Sequence, residues 1–237
     1  LRTAQLQAEI LAHYQAYEFH PVVSKIQQFC SEDLGGFYLD VLKDRLYTTA
    51  ANSAARRSAQ TALHHITQAL LRWMAPFLSF TAEEIWALVG QTPSIFVEKY
   101  LDYGDVTTPA HTELLAKWQR IRALREAVNK ETETLREAGK IGASLQAEVT
   151  LTASGQDYAD LASLGADLKF VLISSVATLH QGAADTPLQI SVQPTAKTKC
   201  VRCWHYTDDV QTEGEHAGIC LRCESNLFGA GEVRQTA

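Results

Sequence analysis

The strings Cys200-Val201-Arg202-Cys203 and Cys220-Leu221-Arg222-Cys223, separated by sixteen residues, constrain this chain more than any other feature. A C-x2-C pair turns the backbone tightly enough for its two sulfurs to converge, and two such pairs complete a tetrahedron with Zn–S distances of about 2.3 Å. One structural Zn2+ held by Cys200, Cys203, Cys220 and Cys223 is therefore expected, because four protein ligands leave no position open for water. The surrounding tail has few apolar anchors (Val201, Trp204, Val210, Ile219, Leu221 and Phe228), so metal binding has to carry its folding. Two disulfides are the alternative; a cytosolic chain disfavours them. On this reading His205 and His216 are surface histidines, and Cys30, in an apolar helical stretch, is a small core residue.

The remainder of the chain is long enough for two or three domains. It has 237 residues, 46% of them hydrophobic and 20% charged, which excludes wholesale disorder. Its net charge of −6 argues against a generally basic nucleic-acid coat and leaves room only for local positive patches. The longest charge-free run, Phe170 to Ala184, is too short and too polar to span a membrane. No cationic, apolar leader opens the chain and it begins at Leu1. The expectation is a cytosolic, monomeric protein and a fragment of something longer.

Apolar residues at helical intervals from Thr3 to Cys30 predict two helices, with His20-Pro21 at their junction. Gly35-Gly36 should break the pattern before a short helix over FYLDVLKDRLYT (37–48), where Asp40 and Asp44, beside Lys43 and Arg45, suit ion pairing. Asn52 or Ser53 can cap the next helix, whose stripe is Ala59, Leu63, Ile66, Leu70 and Trp73. Pro76 stops it, and Thr81 with Glu83 and Glu84 signals the start of another. Gly90 to Ala110 should be irregular. Leu114, Trp118, Ile121 and Val128 then mark a long helix with a solvated basic run of Lys117, Arg120, Arg122, Arg125 and Lys130. Beyond it the period shortens to two: Leu145 to Leu151, Phe170 to Val176 and Leu188 to Val192 read as strands, with Tyr158 to Leu168 as a helix. The expected organisation is mainly α: a helical domain over 1–110, a long helix with a small α+β unit over 111–194, and a zinc module over 195–237.

The first Cys pair also presents Arg202 and Trp204, preceded by Lys197 and Lys199. A planar cation beside a large aromatic is a combination that stacks on splayed bases and contacts phosphate, each stack contributing on the order of 1–3 kcal/mol. The same two residues could equally be a core aromatic and a solvated cation. Lys43 with Arg45, and Arg56 with Arg57, are further basic candidates on spacing alone. No phosphate-binding Gly-rich loop and no G-x-S-x-G elbow occur, and His64-His65 lacks the i, i+4 geometry of a zinc protease. No catalytic residues are expected.

The strings FYLDVLKDRLYT (37–48), RRSAQTALHHI (56–66), WMAPFLSFTAEEIW (73–86) and KIGASLQAEVTL (140–151) resemble the anticodon-binding region of class I aminoacyl-tRNA synthetases for branched aliphatic amino acids. KCVRCWHYTDDV followed by ICLRC resembles the C-terminal zinc module of the bacterial isoleucyl members. The resemblance implies a helical-bundle anticodon-binding domain, a small α+β unit and a four-Cys module that together grip the anticodon stem-loop of isoleucine tRNA. It implies that ATP is used only in a catalytic domain, a partner within the full-length chain; neither a HIGH nor a KMSKS string occurs here. By position it makes Arg202 and Trp204 RNA contacts, and Lys43, Arg45, Arg56 and Arg57 candidates for the tRNA backbone. Two other readings stand beside it: the DNA-binding zinc finger of a formamidopyrimidine-DNA glycosylase-like protein, and a module that only docks within its own chain.

Overall fold

A computed structural model describes residues 1–234 and 236. In chain order its elements are α1 (Arg2–Gln15), α2 (Phe19–Gln28), a π-helical stretch (Phe29–Tyr38), α3 (Leu39–Thr48), α4 (Ala54–Met74), α5 (Ser79–Leu88) and α6 (Pro109–Glu137). They are followed by β1 (Ala147–Ala153), α7 (Gly155–Ala162), α8 (Leu168–Leu172), β2 (Val176–Gln181), β3 (Gln189–Pro194), β4 (Thr198–Lys199), β5 (Tyr206–Thr207) and α9 (Leu221–Phe228). Among the described residues no helix is long and apolar enough to cross a membrane. The fold is mainly helical, as the periodicity predicts, and divides into two compact units: residues 1–38 with 60–115, and residues 39–59 with 116–237.

The first unit is all helical. Leu6, Ile10, Val22, Ile26, Phe29, Leu34, Ala69 and Trp73 form its main core, where Phe29 meets Trp73 edge to face at 5.9 Å. Two polar groups drawn into this core are paired: Trp73 Nε1 donates to Gln7 Oε1 and Tyr14 Oη to the Trp73 carbonyl. Of the expected α4 stripe, Trp73 is buried while Leu63, Ile66 and Leu70 are half-buried in this unit, and Ala59, also buried, belongs to the second unit.

Three expectations are corrected here. Gly35-Gly36 do not break the helical path but lie inside the π-helical stretch, where a Cβ would stand 3.2 Å from the Cys30 carbonyl and 3.3 Å from that of Ser31. Glycine thus widens the helix instead of ending it. Thr81 lies within α5, whose N-cap is Leu78 and which has no side-chain cap. Cys30 is exposed, so the core role expected of it does not hold.

In the second unit a three-stranded sheet in the order β2-β1-β3 puts β1 at the centre, parallel to β2 and antiparallel to β3. Inward residues of β1 alternate as expected, with Val149 opposite Ala177 and Val192, and Leu151 opposite Leu179 and Ile190. Onto them pack Ile121 and Val128 of α6 and Leu161, Leu168, Phe170, Val171 and Leu172. The segment Phe170 to Val176, expected as a strand, is α8 followed by Ile173 in the left-handed region (φ 54°), with β2 starting only at Val176. Leu168, Phe170, Val171 and Leu172 are all buried, so no polar alternation distinguishes helix from strand.

The basic run of α6 is not simply a solvated face. Arg125 is 6% exposed, donates to the Val171 carbonyl (2.9 Å) and meets Asp40 at 3.1 Å; Arg120 pairs with buried Asp160 at 2.6 Å. Burial pulls the Arg125 guanidinium down from its ordinary value, with Asp40 opposing.

Candidate metal centre and nucleic-acid interface

Within the second unit the two Cys pairs fold into facing knuckles. In the first, Trp204 N donates to the Cys200 carbonyl (2.9 Å) and Cys200 N to the His205 carbonyl (2.9 Å), closing the turn that gathers Cys200 and Cys203. The second starts at Cys220, the N-cap of α9, so Cys223 stands in the first turn of that helix. All four cysteines are buried.

Their Sγ atoms lie within 4.8 Å of one another, and both Cys200–Cys223 and Cys203–Cys220 are 3.8 Å apart. Four sulfurs around zinc at about 2.3 Å have tetrahedral edges of about 3.8 Å, so the donor set fits one zinc ion. The same separations are far beyond a disulfide's roughly 2.05 Å, and all four cysteines are free. Hydrogen bonds from Cys220 and Cys223 hold Cys203 far below the ordinary thiol range, while the bond with Cys203 pushes Cys220 up to about 11 and Cys223 higher still. A divalent cation is the partner that lets all four ionise.

Around the sulfurs there is little else to bury. Val210 and Ile219 pack on the cluster, but Val201, Trp204, Leu221 and Phe228, expected as anchors, are exposed. The cysteine cluster is itself the core of the module, which sharpens its need for a metal.

Each knuckle carries an Arg before its second Cys, and both turn toward α3. Arg202 donates to the Thr48 carbonyl (2.8 Å) and the Tyr47 carbonyl (3.3 Å), satisfying acceptors that the end of the helix leaves open. Arg222 grips Asp44 with two bonds of 2.8 Å each and reaches Glu232 at 3.1 Å. Arg234 joins the same carboxylate and also meets Glu232. Burial raises the Asp44 carboxyl, but the hydrogen bond and charge of Arg222, with the charges of Arg234 and His205, more than offset it and hold the group below its ordinary range.

Phe170 of α8 forms the floor of this network: the guanidinium carbons of Arg222 and Arg234 stand 5.1 and 3.3 Å from its ring centroid. His205, expected on the surface, is 3% exposed, edge-on to Phe170 at 5.4 Å, with Nδ1 3.7 Å from Asp44. His216 is half-buried and stacks on Phe228 at 4.3 Å.

Trp204 faces the other way. It is 61% exposed and holds φ at 65°, a left-handed conformation uncommon for a bulky residue, with the Lys199 ammonium 5.6 Å over its ring. Among the remaining candidates, Lys43 is exposed and pairs with Asp40 at 2.9 Å, and Arg45 is half-buried on α3. Ser53 caps α4 through the Arg56 amide at 3.2 Å, and exposed Arg57 donates to Asn52 Oδ1 at 3.0 Å.

Asp44 is ion-paired as expected, but with Arg222 and Arg234 instead of its neighbours on α3; the roles of Arg222, Arg234 and Phe170 and the buried state of His205 carry no mark in the sequence read locally. The one available signal was the repeated Cys-x-Arg-Cys pattern, which places Arg222 in the same register as Arg202.

Two family models match. The anticodon-binding domain of tRNA ligase covers residues 1–151, and a zinc finger described as found in FPG and IleRS covers residues 198–226. The chain belongs to the tRNA-ligase anticodon-binding family. It is 56% identical to an isoleucine–tRNA ligase of Cupriavidus necator, 58% identical to that of Paraburkholderia phymatum and 55% identical to that of Bordetella petrii. In each alignment 99% of this chain is covered but only 25% of the relative, so the chain spans about a quarter of the length of the curated relatives it matches. Because the helical part matches as well as the finger, the synthetase reading is favoured over the glycosylase one.

Proposed function

We propose that this chain is the tRNA-reading part of an isoleucine–tRNA ligase, and that it binds the anticodon stem-loop of isoleucine tRNA while ATP-dependent charging takes place in a separate catalytic domain. The observation that carries the proposal is Trp204: a large aromatic held outward by a strained turn, on a module whose buried apolar core is its four cysteines. Phosphate contacts orient a nucleic acid and base contacts specify it.

Lys43, Arg45, Arg56 and Arg57 supply the phosphate contacts in this reading. A surface ion pair such as Lys43–Asp40 is weak enough to be exchanged for a phosphate. Trp204 supplies the stack on an unpaired anticodon base, and Arg202, anchored to α3, fixes where that ring stands and flanks the same base. Zinc, held by the four cysteines, supplies rigidity and no chemistry on substrate. Recognition is then read out at a distance, as correct presentation of the acceptor end to the catalytic domain.

The test is Trp204→Ala in the full-length enzyme. Losing one base stack of about 1–3 kcal/mol should reduce charging of isoleucine tRNA by roughly 5- to 150-fold and leave isoleucine-dependent ATP–pyrophosphate exchange unchanged. Equal losses in both assays would refute the proposal.

A further inference from the structure

We infer that Lys199 is the cation that binds the phosphate of the nucleotide stacked on Trp204, and that Lys197 and Arg202, which flank it in sequence, are not. The inference rests on the RNA-binding reading above and adds to it the residue that neutralises the loop backbone.

Three cations lie near the indole in sequence, and the structure treats them differently. The Lys197 ammonium is held by Asp208 at 2.8 Å. Both terminal nitrogens of Arg202 are committed to the Thr48 and Tyr47 carbonyls. Lys199 is exposed and places its ammonium 5.6 Å over the Trp204 ring.

The position is fixed by backbone, not by the side chain itself. Lys199 lies on β4 opposite Tyr206 of β5, and the next residue is the ligand Cys200. The same short hairpin therefore sets Lys199 on one side of the knuckle and Trp204 on its crest. With the ammonium over one face of the indole, a base stacks on the other face. The flexible four-carbon stem then lets the ammonium leave the ring for the nucleotide's own phosphate. A cation–π contact at an exposed site is worth only about 0.5–1 kcal/mol and is readily exchanged for a phosphate. The ligand class is a single-stranded ribonucleotide segment with a splayed base.

The test measures binding of the chain to an RNA hairpin carrying an isoleucine anticodon in its loop, across a series of salt concentrations. Variants are Lys199→Ala, Lys199→Arg, Lys197→Ala and Trp204→Ala, each checked for one zinc per chain. Because a single-strand phosphate contact contributes about 0.7 to the slope of log K against log salt, Lys199→Ala should reduce the slope by about that amount. Lys199→Arg should keep the slope, and Lys197→Ala and Trp204→Ala should not change it. In hairpins carrying a neutral methylphosphonate at one loop position at a time, one position should weaken the wild type and leave Lys199→Ala unaffected.

If Trp204→Ala weakens binding but Lys199→Ala shows the wild-type slope and the wild-type methylphosphonate profile, the assignment of Lys199 is wrong and the stacking role of Trp204 stands. If the wild-type chain does not bind the hairpin, or Trp204→Ala binds as wild type does, the RNA-binding reading fails and takes this inference with it.

Discussion

The two zinc knuckles begin from the same pattern, Cys-x-Arg-Cys, and end in different roles. The second continues into α9, and its Arg222 is engaged by Asp44 and Glu232. The first continues into a left-handed turn, and its Arg202 merely caps α3 while Trp204 projects outward. Both knuckles are tied to α3 through their Arg, but under the proposed function only the first also presents an aromatic to RNA. A metal centre makes that difference possible, because a tetrahedron transmits the fixed position of one pair to the other without a hydrophobic core between them.

Removing the metal should break the comparison altogether. Structural zinc contributes on the order of 10 kcal/mol to folding, far more than any single contact in the tail. Chelation should therefore melt residues 198–228 while the helices of the first unit stay protected, as read by hydrogen exchange with zinc counted by elemental analysis. Cys200→Ser and Cys223→Ser should be equally damaging despite lying in different knuckles. An intact tail after chelation, or two disulfides and no zinc, would contradict the assignment.

Cutting each Arg should sharpen the difference. Arg222→Met leaves the Asp44 carboxylate buried without its main partner, a loss of about 3–5 kcal/mol. Arg202→Ala removes two hydrogen bonds to backbone carbonyls, one of them long, and should cost about 1–2 kcal/mol. The pH response of Asp44 follows from its depressed pKa. Stability from that carboxylate is fully present above its unfolded value, near 3.8, and is lost as pH falls through the lower folded value. Acid titration of unfolding free energy below about pH 4 should therefore be shallower in Arg222→Met than in the wild type, and hardly altered in Arg202→Ala.

What was legible in the sequence follows the range of the interaction that made it. The four ligands could be read because both pairs are local and their spacing is a geometric requirement; α1, α2, α4 and β1 could be read because periodicity is local too. Asp44 and Arg222 lie far apart in the chain, and neither carries a local sign of the other. The same holds for buried Arg125, whose partner is Asp40. Residues 39–59 pack with the tail, a long-range partnership that no stripe of apolar residues announces. Where local reading misjudged an element, as at α8, every side chain but one is buried, and a short apolar run lacks the contrast from which a period is read.

The smallest expected effect separates stability from presentation most cleanly. Trp204 holds a left-handed backbone that costs a non-glycine residue on the order of 1 kcal/mol, and its exposed ring recovers little of that by burial. Trp204→Gly should therefore leave the zinc module as stable as the wild type or up to about 1 kcal/mol more stable, since glycine adopts that turn without strain. The entropy of a freer unfolded chain offsets part of the gain. The same variant should lose charging of isoleucine tRNA as fully as Trp204→Ala. Urea unfolding of the zinc-loaded chain, paired with the charging assay on the full-length enzyme, checks both halves. A clear loss of stability would mean that the indole is part of the module's packing, and the difference between the two knuckles would have to be given up.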